Sequence, residues 1–323
     1  MAKNLFNYAA IDWYENELRR TQMSLGKYID SLPCHIDGIE QYIYTKGKDN
    51  PLYPAQSVGV HLEYWTYWLD FWLDDTESLA QNFSDRKKLI DYYSGASTKE
   101  EWLNVIRSNI KEALRDEPEY LVWHLAEADF RELFTNDFRH TDEQVLKCTI
   151  DLFSKVADII PNDVWVLFEN LWFPGLHTLE KGAIAYFFAA VHSKHKRTGI
   201  MLDTGHLMNT NPELADENEA AQFICRKIDT LGNLAELIKG IHLSKSLSGK
   251  YVKSFSPDEQ QIFSPRYILN HIVNVDRHRP FSTRAARQII QAVQPDYIVH
   301  ELNYSSLQEL RALLQQQTNN ILD

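Results

Sequence analysis

The sequence has no long apolar run and few cysteines, and both shortages restrict what the protein can be. No stretch approaches the roughly 18 consecutive apolar residues of a membrane-spanning helix, so we expect no membrane segment. The first residues, MAKNLFNYAAIDWYENELRR, lack the apolar core of a secretory signal peptide. Three widely spaced cysteines, Cys34, Cys148 and Cys225, form no CxxC pair, which indicates buried reduced thiols and no thiolate metal site. We therefore expect a cytoplasmic protein.

Positive charge is also scarce. Lysine and arginine number 33 against 45 aspartate and glutamate residues, and the formal net charge is -12. Because phosphate contacts from basic side chains dominate nucleic-acid affinity, this balance argues against a broad nucleic-acid-binding face. A local basic groove remains compatible with it, and bound metal cations would cancel part of the negative charge. Nucleic acid is therefore the less favoured partner.

Short apolar runs typical of buried strands recur along the 323 residues and alternate with amphipathic segments of helical spacing. The predicted strands are Leu5–Ala9, 38–44, Ser57–His61, Tyr120–His124, Val164–Glu169, Gly199–Asp203, Gly240–Leu243 and Tyr297–Glu301. The predicted helices are Glu15–Leu32, Lys99–Leu114, Asp142–Ile160, Leu179–Lys194, Asn218–Ile238, Thr283–Val293 and Ser306–Leu314. Eight strands alternating with helices predict an α/β fold, a (β/α)8 TIM barrel in which residues 1–323 form one domain.

The active site of such a barrel lies at the carboxyl ends of its strands. Six of the predicted strand ends carry histidine, aspartate or glutamate, and a further pair follows the seventh strand. The pair has i, i+2 spacing, which puts both side chains on one face of an extended segment. The residues are His61, His124, Glu169, Asp203 with His206 three positions on, His242, Glu301, and the pair Asp276 and His278.

Each of these residues has an ordinary structural explanation when it is taken alone. A single histidine at a strand end is usually a hydrogen-bonded core residue, and Asp203 could cap a helix. The coincidence over so many strand ends needs another explanation, because carboxylates gathered at one point either take up protons or bind cations. The sequence therefore predicts a divalent metal site. Its mixture of imidazoles and carboxylates suits Zn, Mn or Fe.

The segments VLFENLWFPGL, GIMLDTGHL, GIHLSKS and VDRH resemble the xylose-isomerase-like TIM barrel superfamily, and within it the endonuclease IV branch, the family 2 apurinic endonucleases. The resemblance covers nearly the whole chain. Sugar isomerases and epimerases of the superfamily need four ligands, whereas the endonuclease IV branch adds five more and holds three metals. The resemblance implies one metal on His61, His124 and Glu169, a second on Glu169, Asp203, His242 and Glu301, and a third on His206, Asp276 and His278.

A site with up to three divalent metals, with Zn as the first expectation, favours phosphate chemistry. Charge in a phosphodiester transition state spreads over several oxygens, which several cations can neutralise together. An isomerase instead needs carboxylates free to move a proton, and that role is closed to Glu169 and Glu301 if both ligate metal. We expect a hydrolase, a phosphodiesterase, with these two glutamates as catalytic residues. The alternatives are apurinic endonuclease action on abasic DNA, a single-metal sugar isomerase or epimerase, and a non-catalytic binding module.

The mouth loops depart from the DNA-repair pattern of that branch. His61 is followed by the aromatic segment LEYWTYWLDFW, Asp203 by Thr-Gly-His in place of Thr-Cys/Ser-His, and the loop from His242 to Asp276 is longer than the family norm. The resemblance thus implies the same metal chemistry on a different substrate, a small-molecule phosphodiester. Cobamide-remodelling phosphodiesterases, which cleave the nucleotide loop of corrinoids, are the relatives that fit a bulky non-DNA substrate.

Two sets of loop residues are candidate substrate contacts. The aromatic side chains of residues 64–72 have helical spacing, which is typical of core packing, with an apolar wall for a flat ligand as the alternative. Loop cations are either solvated charges or contacts to substrate phosphate. The candidates are Trp65 and Trp68 from the first set and Lys245, Arg277 and Arg279 from the second.

Overall fold

Eight parallel strands close into a barrel in which each strand lies beside its neighbours in chain order. The computed structural model describes residues 2–43 and 51–321. The strands are β1 Lys3–Ala9, β2 Gly38–Tyr42, β3 Ser57–His61, β4 Tyr120–His124, β5 Trp165–Glu169, β6 Thr198–Asp203, β7 Ile238–His242 and β8 Tyr297–His300. β1 pairs with both β2 and β8, which closes the sheet. The predicted (β/α)8 barrel is confirmed.

The helices surround this barrel. They are α1 Asp12–Arg20, α2 Leu25–Asp30, α3 Leu69–Trp72, α4 Thr76–Asn82, α5 Arg86–Tyr92, α6 Lys99–Ala113, α7 Glu132–Thr135, α8 Asp142–Ser154, α9 Lys181–His192, α10 Thr204–Asn209, α11 Glu217–Leu231, α12 Gly249–Ser254, α13 Pro265–Val275, α14 Ala285–Val293 and α15 Leu307–Ile321. Short 3-10 turns occupy Leu114–Asp116, Ala157–Ile159 and Gly232–Leu237. Over the described residues, no helix combines the length and the apolar character that crossing a membrane requires.

The strands agree with the sequence prediction to within two residues at each described end. All six residues of β6 are buried, as expected for a parallel strand covered by side chains on one face and helices on the other. β2 ends at Tyr42, so Ile43 lies beyond the strand, and the last residue of the predicted strand, residue 44, falls outside the described residues.

Three of the predicted helices end earlier than expected. The segment predicted as one helix over Glu15–Leu32 forms α1 and α2, because the backbone at Gln22 turns into the left-handed region with φ of 53°. α8 stops at Ser154. α11 stops at Leu231 because Gly232 has φ of 59°, a conformation that ends a helix and that glycine adopts without steric cost.

The β3–β4 and β7–β8 connections contain helices that the sequence did not predict. α3, α4 and α5 precede the predicted α6, and α12 and α13 precede α14. In the first connection the indole of Trp102 is the centre of an aromatic cluster, with ring centroids 5.5 Å from Trp65, 6.2 Å from Trp68 and 6.0 Å from Phe71. These aromatic residues are continuous with the main hydrophobic core between strands and helices, and we call this outer part of that core the satellite core. The cysteines are unpaired and half-buried, and so more exposed than predicted.

Candidate metal centre

The carboxyl ends of β3, β4 and β5 bring His61, His124 and Glu169 together. Nε2 of His61 lies 3.0 Å from Nε2 of His124 and 3.2 Å from Oε2 of Glu169, and Nε2 of His124 lies 3.1 Å from the same oxygen. Backbone register contributes directly, since His124 and Glu169 are partners across the β4–β5 ladder. We call these three residues group one.

A second set surrounds the other oxygen of the same glutamate, and we call it group two: Glu169, Asp203, His242 and Glu301. Nδ1 of His242 lies 3.2 Å from Oε1 of Glu169 and 3.1 Å from Oε2 of Glu301. Asp203 and His242 are again ladder partners, here between β6 and β7. Glu169 and Asp203 are fully buried.

Group three consists of His206, Asp276 and His278. Oδ2 of Asp276 lies 3.1 Å from Nε2 of His206 and 2.5 Å from Nε2 of His278, while its other oxygen accepts a hydrogen bond from the Ser246 hydroxyl at 3.1 Å. His278 has φ of 42°, so a non-glycine residue holds a left-handed backbone at the site. The structure therefore brings together all nine residues predicted to ligate metal.

Three of the histidines share one orientation. Nδ1 of His61, His206 and His278 lies 2.9, 2.9 and 3.2 Å from a backbone carbonyl oxygen, which can only accept a hydrogen bond. Nδ1 therefore carries a proton, and Nε2 is the ring atom that faces the group and is available to a cation once it is deprotonated. Second partners of this kind fix the tautomer of a metal-binding histidine.

The His242 ring has the opposite orientation, with Nδ1 towards group two and Nε2 towards Glu40, a residue that the sequence did not single out. Nε2 of His242 lies 3.0 Å from Oε1 of Glu40, and the Tyr120 hydroxyl donates a hydrogen bond to Oε2 of Glu40 at 2.9 Å. Glu40 is buried in the middle of β2. A signal was present, since a glutamate inside a strand of a closed barrel is buried and needs a partner.

Asp203 satisfies both explanations that the sequence allowed. Its Oδ1 accepts a hydrogen bond at 2.5 Å from the backbone N–H of His206 and so caps α10. Its Oδ2 is buried without a hydrogen-bond partner. The side chain of Asn170 fixes this turn by accepting from the Asp203 N–H and donating to the Asp203 carbonyl oxygen. One carboxylate thus terminates the helix and offers an oxygen to group two.

The electrostatics are those of a site suited to positive charge. Burial raises the pKa of Glu169, but the imidazoles of His242 and His124 outweigh burial, so the pKa lies well below its usual range. Burial, together with the nearby Glu301 carboxylate, raises the pKa of Asp203 well above its usual value. Burial lowers the pKa of His278, yet Asp276 and Glu301 reverse the shift and raise it to about 10. Without cations, these carboxylates therefore draw protons onto their neighbours.

Four buried atoms of group two test whether a cation fits. Within the described part of the chain, Oε1 of Glu169, Oδ2 of Asp203, Nδ1 of His242 and Oε2 of Glu301 form no hydrogen bond of good geometry, although Nδ1 of His242 lies 3.1 to 3.8 Å from the three oxygens. Buried polar atoms are normally paired, so one such atom from every member of the group requires an explanation. In each of the three groups the ligand atoms lie within 4.8 Å of one another. These residues fit divalent metals, and the donor set is compatible with Zn, Mn or Fe.

The predicted substrate contacts lie in different places. The Lys245 ammonium pairs with Glu217 at 2.5 Å, so most of its charge is used within the protein. Arg277 and Arg279 are exposed, and the backbone of Arg279 pairs with that of Lys245. Trp65 and Trp68 donate their indole N–H groups to the carbonyl oxygens of Tyr92 and Ala126 as part of the aromatic satellite core.

Tyr64 is the member of the aromatic segment that reaches the metal groups. Its ring centroid lies 3.8 Å from that of His124, and the side chain is 41% exposed. Burial of the hydroxyl, with carboxylates nearby, raises the pKa of Tyr64 to about 12, so the phenol is neutral at physiological pH. In the sequence, Tyr64 belongs to the aromatic side chains of helical spacing at residues 64–72, and nothing distinguishes it from the others as a neighbour of the metal groups.

Comparisons with known proteins show the fold. No family profile and no curated protein sequence matches the chain. Solved structures do match. AsfvAP:AG is 12% identical with a TM-score of 0.54, and endonuclease IV from Thermus thermophilus is 11% identical with a TM-score of 0.53; each comparison covers 99% of this chain and 98% of the other. A D-psicose 3-epimerase in the presence of D-fructose is 12% identical with a TM-score of 0.50, over 97% of this chain and 89% of the other. The chain therefore shares its barrel fold with an endonuclease and with an epimerase.

Proposed function

We propose that the protein is a metal-dependent phosphodiesterase with a three-cation site, acting on a non-DNA substrate such as the nucleotide loop of a cobamide. The observation that carries the proposal is the convergence of three histidine and carboxylate groups around one glutamate. Both Glu169 oxygens are used, one facing group one and one facing group two. A single-metal isomerase or epimerase would need group two alone and leaves the other two groups without a purpose.

Charge balance supports three cations and an anionic substrate. Five carboxylates, those of Glu40, Glu169, Asp203, Asp276 and Glu301, lie in or directly behind the groups. With neutral imidazoles, three divalent cations leave a net charge of about +1, whereas two leave about -1. The fully loaded site, in which cations have displaced the protons from the imidazoles, therefore has the sign of charge that attracts a phosphodiester anion.

The protein's own residues would mainly hold and orient the cations, and would not themselves transfer protons. Divalent cations bound here would polarise phosphoryl oxygens and lower the pKa of water. Glu169 and Glu301 would hold those cations and are thereby kept from serving as proton carriers, which disfavours isomerase chemistry. Glu40 orients the His242 ring, and Ser246 orients the Asp276 carboxylate. Such second contacts keep the ligands in place while charge redistributes on the substrate.

The experiment is a substrate panel run on chelated and reloaded protein. We expect hydrolysis of bis(4-nitrophenyl) phosphate and of a cobamide, lost on chelation and restored by Zn or Mn. Incision of an abasic-site duplex with no cobamide hydrolysis would instead support the apurinic endonuclease alternative. Ketohexose epimerisation by protein that holds one metal, with no diester hydrolysis, would overturn the proposal. Elemental analysis by mass spectrometry gives the metal count for each preparation.

A further inference from the structure

An aromatic cavity opens directly onto the metal groups. It has a volume of about 440 Å³, and its floor contains His124, His206 and Asp276. Apart from tyrosine, these are the only ionisable residues among the described residues of its lining. Apart from Thr66, the rest of the wall is apolar or aromatic, with Trp172 packed 5.2 Å from His206 between ring centroids. A cavity of this composition is suited to an apolar group carried by the substrate.

The rim of this cavity exposes large apolar side chains that folding normally covers. Tyr64, Phe263 and Leu269 are 41%, 50% and 62% exposed, and all three line the same cavity. Scattered exposed apolar residues need no explanation, but several around one concave site indicate a ligand surface. Tyr64 also places the face of its ring over His124, which provides a flat platform next to group one.

A smaller and less apolar crevice meets the metal groups from the other side. It has a volume of about 220 Å³ and is lined by the ends of β1, β2 and β3 and by Glu301, which follows β8. His61 and Glu301 form its boundary with groups one and two. The rest of its lining consists of Tyr8, Ala9 and Tyr42 together with Asn7 and Glu40, whose side chains are already hydrogen-bonded within the protein.

The two spaces lie across the barrel mouth from each other. The aromatic cavity is built by the connections that follow β3 to β7, whereas the crevice is built mainly on β1 and β2, which lie opposite β5 and β6 in the closed barrel. The metal groups lie between the two spaces, since His124 lines the cavity and His61 lines the crevice. A phosphorus atom held by these groups would therefore carry its two ester groups into unlike surroundings.

From this asymmetry we infer that the substrate is an amphipathic phosphodiester, with a planar apolar group of one ester bound in the aromatic cavity and the less apolar arm of the other ester directed towards the crevice. The inference rests on the proposed function for the position of phosphorus, and it adds the chemical class and the orientation of the substrate. Aromatic rings bind a planar group at little conformational cost, because their own side chains are already packed.

The test measures binding, so that it does not depend on turnover. Metal-loaded full-length protein is titrated calorimetrically with 2-naphthyl phosphate and with methyl phosphate, two monoesters that differ in the apolar group alone. We expect the naphthyl compound to bind roughly 30-fold more tightly, the effect of burying about 80 Å² of apolar surface. A phosphodiesterase without a preference between the two would retain the proposed function and overturn this inference.

Variants assign the preference to one side of the site. Ile268→Trp, on α13, fills the aromatic cavity and should reduce the preference to less than about fivefold. Val273→Trp is the matched control, because Val273 is 42% exposed on the same helix and does not line the cavity. Ala9→Leu fills the crevice and should leave the preference intact. If Ile268→Trp does not fold, Leu269→Asp tests the same wall from an exposed position.

Every outcome decides the inference. Loss of the preference in Ile268→Trp or Leu269→Asp, with retention in Val273→Trp and Ala9→Leu, supports it, even if the protein hydrolyses no diester in the substrate panel. Loss of the preference in Ala9→Leu alone would place the apolar group in the crevice and overturn the inference. Equal binding of both monoesters, or binding of neither, also overturns it.

Discussion

The metal-group residues on strands and those on the β7–β8 connection are held in position in different ways. His124 and Glu169 are held as ladder partners, as are Asp203 and His242, so main-chain hydrogen bonds fix their spacing before any cation arrives. Asp276 and His278 have no such ladder. They depend on the Ser246 hydroxyl and on a left-handed backbone at His278.

This difference implies an order of robustness among the groups. Groups one and two are positioned by the barrel itself, whose strands are buried and mutually bonded. Group three is positioned by one strand-adjacent histidine, His206, and by a loop. We therefore expect group three to bind its cation most weakly and to respond most readily to solution conditions.

Removing the shared carboxylate should have the largest effect. Glu169→Gln replaces a ligand of two groups by an amide, so we expect both metal content and hydrolysis of bis(4-nitrophenyl) phosphate to fall by more than about 100-fold, beyond what loss of a ligand's outer partner costs. Elemental analysis and initial rates measure the two effects.

Glu143→Gln is the matched control for that substitution, since Glu143 is exposed in the first turn of α8. It should behave as the unsubstituted protein. Full metal loading and undiminished hydrolysis in Glu169→Gln would contradict the shared-ligand geometry on which the comparison of the groups depends.

The next largest effect is expected from Glu40→Gln. The amide can still accept a hydrogen bond, but it no longer offers a carboxylate to the His242 ring, so the affinity of group two should fall by about 10- to 100-fold. Competition with a chromogenic chelator measures this affinity. Tyr120→Phe, which removes one hydrogen bond to Glu40, should have a smaller effect in the same direction. Equal losses at all three groups would show that Glu40 supports folding and not group two.

The pH dependence of cation binding distinguishes group three from group one. Although burial lowers it, the carboxylates of Asp276 and Glu301 raise the pKa of His278 to about 10, so at neutral pH a cation must displace its proton. Burial lowers the pKa of His124 in group one to about 4, so that ring is already deprotonated, although Glu169 outweighs burial at His61 and raises the pKa of that ring. In group three burial is outweighed at His206 too, where Asp203 and Asp276 raise the pKa well above its usual value. Affinity at group three should therefore rise at least about tenfold per pH unit between about pH 6 and 8. Calorimetry in buffers of different ionisation enthalpy counts the released protons. A pH-independent third affinity would contradict this prediction.

The smallest effect concerns the β3–β4 connection. Trp68→Phe retains most of the packing on Trp102 and removes the indole hydrogen bond to the Ala126 carbonyl oxygen, so the free energy of unfolding should fall by about 1 kcal/mol. Chemical denaturation measures the loss. Metal content should not change, because Trp68 belongs to the satellite core. A loss of metal without a loss of stability would instead bring Trp68 into the site.

The sequence was informative where geometry follows from periodicity. Buried parallel strands are short apolar runs, and a polar residue that ends such a run must lie at the barrel mouth. That logic located Glu169 and Asp203 from sequence alone. Side chains alternate along a strand, so His300, next to Glu301, faces the helix layer, where its ring accepts a hydrogen bond from Gln317 of α15.

It was less informative where tertiary packing decides. The break at Gln22 carries no glycine or proline to announce it, so the helix prediction ran through it. Glu40 lies inside a strand and not at its end, and its partner His242 is 202 residues away. α13 could have been found, because Pro265 at its first turn and the apolar spacing of Tyr267, Ile268 and Ile272 are helix signals. The wall of the aromatic cavity became visible only once that helix was placed.

The pairing of β1 with β8 has a consequence for how the protein matures. Lys3 to Phe6 lie beside Tyr297 to His300, so the earliest and the latest strands made by the ribosome form one seam of the barrel. Glu301 follows directly on that seam. A nascent chain thus carries most of its cation-binding side chains long before it can close around them, and non-local pairing of this kind is slow. Group two, which includes Glu301, could therefore offer all four of its residues to a cation only after β8 has joined β1.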